Sequence, residues 1–188
     1  MRKCVLFLSV ILLLCVMVVL CFRDVSIYPA SIEEADQCCS EVEKTMTELK
    51  TVHAETVDIT DEEFDKRIRM RSDAEFYHIT ERTVPNTRQC LAVLASLDWE
   101  NDLALSNVQK ITFFTNPVLW DCSLGDFIVC VPLTTLPKPL SDLLDGGEYM
   151  QAELNAVCSS SFAVKRLILS VYSKNENVTF ATITLYLE

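Results

Sequence analysis

A nineteen-residue apolar run at the N-terminus constrains this chain more than any other feature, because it decides the compartment in which the rest folds. The run extends from Cys4 to Phe22 and reads CVLFLSVILLLCVMVVLCF. It follows Arg2 and Lys3, and it gives way at once to the polar Arg23. A basic flank, an apolar stretch and a polar exit are typical of a segment that targets a chain to the endoplasmic reticulum. We therefore expect everything after residue 22 to be lumenal or extracellular.

The sequence leaves two fates open for this segment. Its length exceeds the roughly 7–15 residues of an ordinary signal-peptide core and is enough to span a bilayer. Cleavage before Phe22 gives a secreted protein, whereas an uncleaved segment gives a type II membrane protein. In both cases residues 1–22 form the targeting segment. Residues 23–188 then form a single domain, because 188 residues fit one domain plus a targeting segment.

The cysteines agree with an oxidising compartment. Three of the nine lie in the apolar run, which leaves an even six in the predicted domain. We expect these six to form disulfides that stabilise the fold, and the sequence does not choose among the 15 possible pairings. Two of them are adjacent, and a ring closed between neighbours strains the peptide, so each is expected to pair elsewhere. The six residues are Cys38, Cys39, Cys90, Cys122, Cys130 and Cys158.

A single glycosylation sequon lies near the C-terminus, in the part predicted to be lumenal. Asn177 precedes Val178 and Thr179, and it follows a polar stretch that reads as an exposed turn. A sequon at an exposed turn of a secreted protein is a glycan acceptor. We therefore predict a glycan on Asn177.

The charge of the chain is strongly acidic, at −11 for the full sequence. A domain of this charge has no electrostatic footprint for nucleic acid or for anionic lipid. We expect its partner to be another protein, and the acidic charge would suit a basic one. We expect membrane contact only through the N-terminal segment if that segment stays uncleaved.

Helices are predicted in the first part of the domain. Ser40 and Glu43 have the spacing of a capping box, which predicts a helix from Ser40 onward. A second helical region is expected within residues 60–82, with starts at Thr60 and Ser72. A third helix follows the N-cap Asn86. The first helix presents one face of spaced residues to a core: Cys39, Val42, Met46, Leu49 and His53.

The second part of the domain favours strands. Short β-branched or aromatic runs at 111–114 and 126–131 predict two of them, and a short helix is expected after Gly147 through residues 150–157. Runs at 162–172 and 178–187 alternate as the two strands of a hairpin. The expected fold is α+β: a helical N-terminal half packed on a small antiparallel sheet with a C-terminal β-hairpin, stabilised by disulfides.

No motif in the sequence specifies a chemistry. Only three glycines are present, and neither a phosphate-binding loop nor a dinucleotide fingerprint occurs, so we expect no cofactor. The acidic run from Asp58 lacks the glycine and the final glutamate of a calcium loop. Two histidines, His53 and His78, are too few to form a zinc site by themselves. We therefore expect no metal and no catalytic residue.

Three hypotheses about function follow. The leading one is a non-catalytic extracellular or lumenal protein-binding module, with Trp99, Trp120 and Leu136 as possible contacts with the partner. The first alternative is a carrier of an apolar ligand, in which helices and hairpin enclose a pocket. The second is a small secreted hydrolase with a nucleophile in 159–161 and a histidine base.

Overall fold

The computed structural model of the chain describes residues 27–76, 85–98, 107–111, 122–134, 136, 138, 150–173 and 179–187. Within them, three helices lie against one antiparallel sheet of seven strands, which confirms the α+β class. The helices are α1 (Ile32–Thr56), α2 (Asp61–Arg67) and α3 (Thr87–Ala95). The strands are β1 (Ile27–Pro29), β2 (Arg71–Phe76), β3 (Asn107–Ile111), β4 (Phe127–Pro132), β5 (Met150–Cys158), β6 (Val164–Ser173) and β7 (Thr179–Tyr186).

The strand order across the sheet is β1-β3-β4-β5-β6-β7-β2. The first two strands of the chain therefore lie at opposite edges, and the last strand, β7, lies inside the sheet between β6 and β2. β6 and β7 pair antiparallel, with Leu169 opposite Ile183, as the predicted C-terminal hairpin requires. The sheet is larger than the small one expected, because β1, β2 and β5 join the strands that the sequence indicates.

One face of the sheet, the inner face, carries the core. Side chains alternate between the two faces of a strand, so every second residue of β4 to β7 points toward the helices. The predicted cover for the hairpin, the stripe Val42–Met46–Leu49 on α1, lies in the same buried cluster as these strand residues. The inner-face residues of β5, β6 and β7 are Ala152, Leu154, Ala156, Cys158, Leu167, Leu169, Val171, Ala181, Ile183 and Leu185.

The first helix begins earlier than predicted. Ser31, not Ser40, is its N-cap, and the capping box joins Ser31 to Glu34. Both serines are followed three residues later by a glutamate, so the local spacing does not distinguish them. The extra two turns place Cys38, rather than Cys39, on the buried stripe.

Two further helix predictions are wrong. Residues 72–75 lie in strand β2, where they pair with β7, and residues 150–157 lie in strand β5, between β4 and β6. In both segments the hydrogen bonds to neighbouring strands override a local pattern compatible with a helix. The caps Thr60 of α2 and Asn86 of α3 are confirmed, each in a capping box.

The outer face of the sheet has a smaller buried cluster: Ile111, Cys122, Ile128, Val157 and Ile168. Beside it, Arg166 is almost fully buried and its Nη2 lies 3.5 Å from the Cys122 sulfur. The described helices all contribute to the inner-face core instead.

Candidate functional site

The excess negative charge of the chain is concentrated on α1, α2 and their connection, which we call the acidic helical layer (residues 32–67). This layer contains twelve Asp and Glu side chains against four Lys and Arg, a net charge of −8 out of −11 for the full sequence. Ten of the twelve carboxylates are exposed. The buried stripe of α1 faces the sheet, so the carboxylates are presented on the opposite side, to solvent.

Few of these carboxylates are neutralised within the protein. Ion pairs in the described residues involve Glu34, Glu41, Glu62 and Asp61. Of the others, Glu33 and Asp36 lie three residues apart on α1, where like charges repel and destabilise the helix by about 0.2–0.5 kcal/mol. The exposed carboxylates without an ion pair in this part of the chain are Glu33, Asp36, Glu43, Glu48, Glu55, Asp58, Glu63 and Asp65.

Arg88 of α3 fixes the two helices of the layer relative to each other. Its Nη2 donates to the backbone oxygens of Thr56 at 2.7 Å and Val57 at 2.6 Å. Its Nη1 donates to the Ile59 oxygen at 2.8 Å and to the Asp61 carboxylate at 2.9 Å. The last carbonyls of a helix have no partner within the helix. One charged side chain therefore satisfies the end of α1, the connection and the start of α2.

The other end of the layer is anchored to the sheet by Glu34 and Lys110. Lys110 Nζ lies 2.6 Å from Glu34 Oε1, while Glu34 Oε2 accepts from the Ser31 backbone N–H at 3.0 Å. The hydrogen bond from Lys110 and then that from Ser31 hold the pKa of Glu34 at about 2. Glu34 is therefore ionised at physiological pH, and it ties the first turn of α1 to β3.

A cleft of about 440 Å³ opens between α1 and one end of the sheet. Four separate segments line it: the middle of α1, residues 67–70, the first residue of β6 and the residue after β7. The apolar lining residues are Leu49, Val52, Ile68, Met70, Val164 and Leu187. The polar ones are Thr45, Glu48, Arg67 and Arg69. The two arginines are exposed, and no ion pair holds them within the residues that the structure describes.

All six cysteines of the predicted domain are described, and no disulfide joins them in the structure. The side chains of Cys38 and Cys158 interact with each other through a hydrogen bond, which raises the pKa of Cys158 and lowers that of Cys38. Burial raises the pKa of Cys90 and Cys122, and it raises that of Cys130 to about 11 with help from a nearby carboxylate. A thiol whose pKa is raised by burial stays protonated and is a poor nucleophile.

The residues of the hydrolase hypothesis do not form a catalytic group where they are described. Ser159 Oγ and Ser161 Oγ lie 2.8 Å apart in the turn between β5 and β6, hydrogen-bonded to each other. His53 lies on α1, and its Nδ1 is buried without a hydrogen-bond partner. His78 lies outside the described residues. A serine nucleophile needs a base within hydrogen-bond reach, and the described part of the chain supplies none.

The predicted contact residues and the glycan site fall mostly outside the described residues, as Trp99, Trp120 and Asn177 do. Leu136 is described, and it is half-buried and packs against the inner-face core. Of the three predicted contact residues, the structure therefore describes Leu136 alone.

The remaining features of the described part give no further chemistry. They include no group of three or more His, Cys, Asp and Glu side chains placed to hold a metal ion. Among the same residues, no helix combines the length and hydrophobicity that crossing a membrane requires. Comparison of the chain with protein-family models, with characterised proteins and with solved structures found no match.

Sequence reasoning missed the acidic helical layer as a surface, and its carrier hypothesis named none of the residues that line the cleft. The charges are visible in the sequence, but their common exposure depends on both helices packing on one side of the sheet. The cleft has no local signal, because its lining residues lie up to about 140 positions apart.

Proposed function

We propose that this chain is a non-catalytic binding module of the extracellular space or the secretory lumen, secreted or held by its N-terminal segment, whose partner is a protein with a basic surface. The observation that carries the proposal is the acidic helical layer. It holds most of the net charge of the chain on a solvent-facing surface built from two helices. The disulfides and the Asn177 glycan expected from the sequence belong to the same proposal.

The physics of the layer favours a cationic partner. Unpaired carboxylates on one surface raise the local negative potential, which accelerates the approach of a positively charged protein. Binding also relieves the repulsion between neighbouring carboxylates, such as Glu33 and Asp36 at i,i+3. Glu34 anchors the start of the layer and Arg88 anchors the junction of its two helices, so little ordering cost is expected on association.

Reversing two charges of the layer tests the proposal. The variant Asp36→Lys with Glu43→Lys is expected to bind cells of the native source on the order of tenfold more weakly than the wild type, because the partner loses attraction. The measurement is flow cytometry of fluorescently labelled protein, titrated at low and at physiological salt. Wild-type binding is expected to weaken as salt screens the charges.

The matched control reverses the opposite sign on the same helix. Lys44→Glu with Lys50→Glu alters two exposed side chains of α1 and is expected to keep or strengthen binding. Equal binding by the wild type and the Asp36/Glu43 variant, at both salt concentrations, contradicts the proposal.

The cleft favours a second candidate function, the carrier of an apolar ligand. Its volume of about 440 Å³ lies in the range of small-molecule sites, roughly 300–1,000 Å³, and most of its lining side chains are apolar. Arg67 and Arg69 at its edge suit a ligand with an anionic head, while Glu48 in the same lining disfavours one close to itself.

Filling the cleft separates the carrier from the protein-binding module. Val52→Trp places a large side chain in the lining, so it is expected to weaken binding of a fluorescent long-chain fatty acid at least tenfold. Thr47→Trp adds the same side chain on the exposed face of α1, outside the lining, and is expected to leave binding unchanged. Absence of any fatty-acid binding by the wild type, together with no lipid in an organic extract of the purified protein, rejects this candidate.

A further inference from the structure

Two buried cysteines meet between the helices and the sheet. Cys38 lies on the buried stripe of α1, and Cys158 is the last residue of β5 on the inner face. Both are 0% exposed and belong to the inner-face core. They are 120 positions apart in the sequence, so only the packing of α1 on the sheet brings them together.

The pairing of the strands explains the meeting. Lys110 of β3, Phe127 of β4 and Cys158 of β5 lie opposite one another in a row across the sheet. Lys110 binds Glu34 at 2.6 Å, which fixes the first turn of α1 above this row. Cys38 lies one helical turn after Glu34 on the same side of α1, and its side chain is near the β5 end of this row, where Cys158 lies beyond the intervening strand β4.

The contacts of the two thiols distinguish them from three of the other cysteines. The side chains of Cys38 and Cys158 interact directly with each other. In contrast, Cys90 contacts the Pro85 oxygen, and Cys122 contacts the guanidinium of Arg166. Cys130 lies beside the Glu153 carboxylate. Side chains held in mutual contact in a core need only a small rearrangement to be joined.

We propose that Cys38 and Cys158 form a disulfide bond in the mature protein. This proposal rests on the lumenal location that is part of the proposed function. The two thiols lose two protons and two electrons as one S–S bond forms. The electron acceptor is the disulfide of a thiol–disulfide exchange catalyst or of oxidised glutathione, which is reduced to two thiols. The bond forms while the chain folds, before α1 covers the thiols.

This bridge also gives one of the two adjacent cysteines, Cys38 and Cys39, a distant partner, as the sequence analysis expects. Cys38 faces the core and pairs with Cys158, whereas Cys39 is half-buried on a neighbouring side of α1. A bridge at Cys38 ties the acidic helical layer to β5, a central strand, and closes a loop of about 120 residues. Its buried position shields it from reductants in solution.

Peptide mapping without reduction tests the pairing. The full chain is expressed with its own N-terminal segment in a secretory cell line, and free thiols are alkylated after denaturation. We expect one cross-linked species that joins the peptides of Cys38 and Cys158, with neither residue alkylated. Cys39→Ser is expected to keep this species, whereas Cys38→Ser is expected to abolish it and leave Cys158 alkylated. A bridge from Cys158 to Cys39, or alkylation of both Cys38 and Cys158, overturns the pairing.

A second experiment tests the Cys38–Cys158 pairing separately from the lumenal location that the proposal assumes. Glycosidase treatment of the same sample reports whether Asn177 reached the lumen, and the purified chain is also refolded in a glutathione redox buffer. The bridge is expected in the refolded protein wherever the cell delivers the chain. A glycosylated protein with free Cys38 and Cys158 refutes the pairing alone. An unglycosylated protein that forms the bridge only on refolding refutes the lumenal location and retains the geometry.

Discussion

A chain that ends at Ser173 is expected to fail to fold and to be retained and degraded in the cell rather than secreted. The missing part contains β7, which lies between β6 and β2. Its loss removes Ala181, Ile183 and Leu185 from the core and leaves the β6 edge unpaired. It also detaches β2, which pairs with β7 alone among the strands that the structure describes. We expect the whole stability of the domain, of the order of 5–15 kcal/mol, to be lost.

Secretion into the medium, measured against total synthesis, checks this expectation. The control is a chain that ends at Leu187, which keeps all of β7 and the backbone hydrogen bond from Leu187 to Lys165. It is expected to be secreted as the full chain is. Normal secretion of the chain that ends at Ser173 contradicts the single-core architecture.

Replacing Leu169 or Leu185 by alanine is expected to lower the free energy of unfolding by about 2–5 kcal/mol each. Both side chains are almost fully buried on the inner face, at 1% and 0% exposure. They lie in the cluster with Met46 and Leu49 of α1. Truncation removes apolar contacts and leaves a cavity that packed neighbours only partly fill.

The matched controls are Thr182→Ala and Thr184→Ala on β7. These side chains alternate with Ile183 and Leu185, are half-buried and point to the outer face, so each change is expected to cost less than about 1 kcal/mol. Urea unfolding of the purified variants gives the free energies. Equal losses for the leucine and threonine variants contradict the assignment of the inner face.

Part of this fold follows from local sequence signals. Thr60 and Asn86 begin helices because a side-chain oxygen and a later Glu or Gln satisfy the free N–H groups of the first turn. The alternation in β6 and β7 indicates a hairpin with one buried face, and the structure confirms it. These predictions succeed because the information lies within a few residues.

The sequence-based predictions fail where contacts with distant residues determine the local secondary structure. Residues 150–157 read equally well as a short helix, and only the hydrogen bonds offered by β4 and β6 make them a strand. Ser31 and Ser40 offer the same capping spacing, and the packing of Cys38 on the sheet selects the longer helix. Arg88 donates hydrogen bonds to carbonyl groups about thirty residues earlier in the chain, so no local sequence pattern predicts this role.

The strand order has a consequence for synthesis. β2 leaves the ribosome early, yet its partner among the described strands is β7, whose last residue lies 110 positions later. At about 5–20 residues per second, roughly 5–20 s separate the two events. β2 therefore cannot join the sheet until β7 has been synthesised, and until then its edge remains unpaired. We expect the nascent chain to depend on chaperones during this interval. The complete sheet is expected to form only when β7 pairs with β6 and β2.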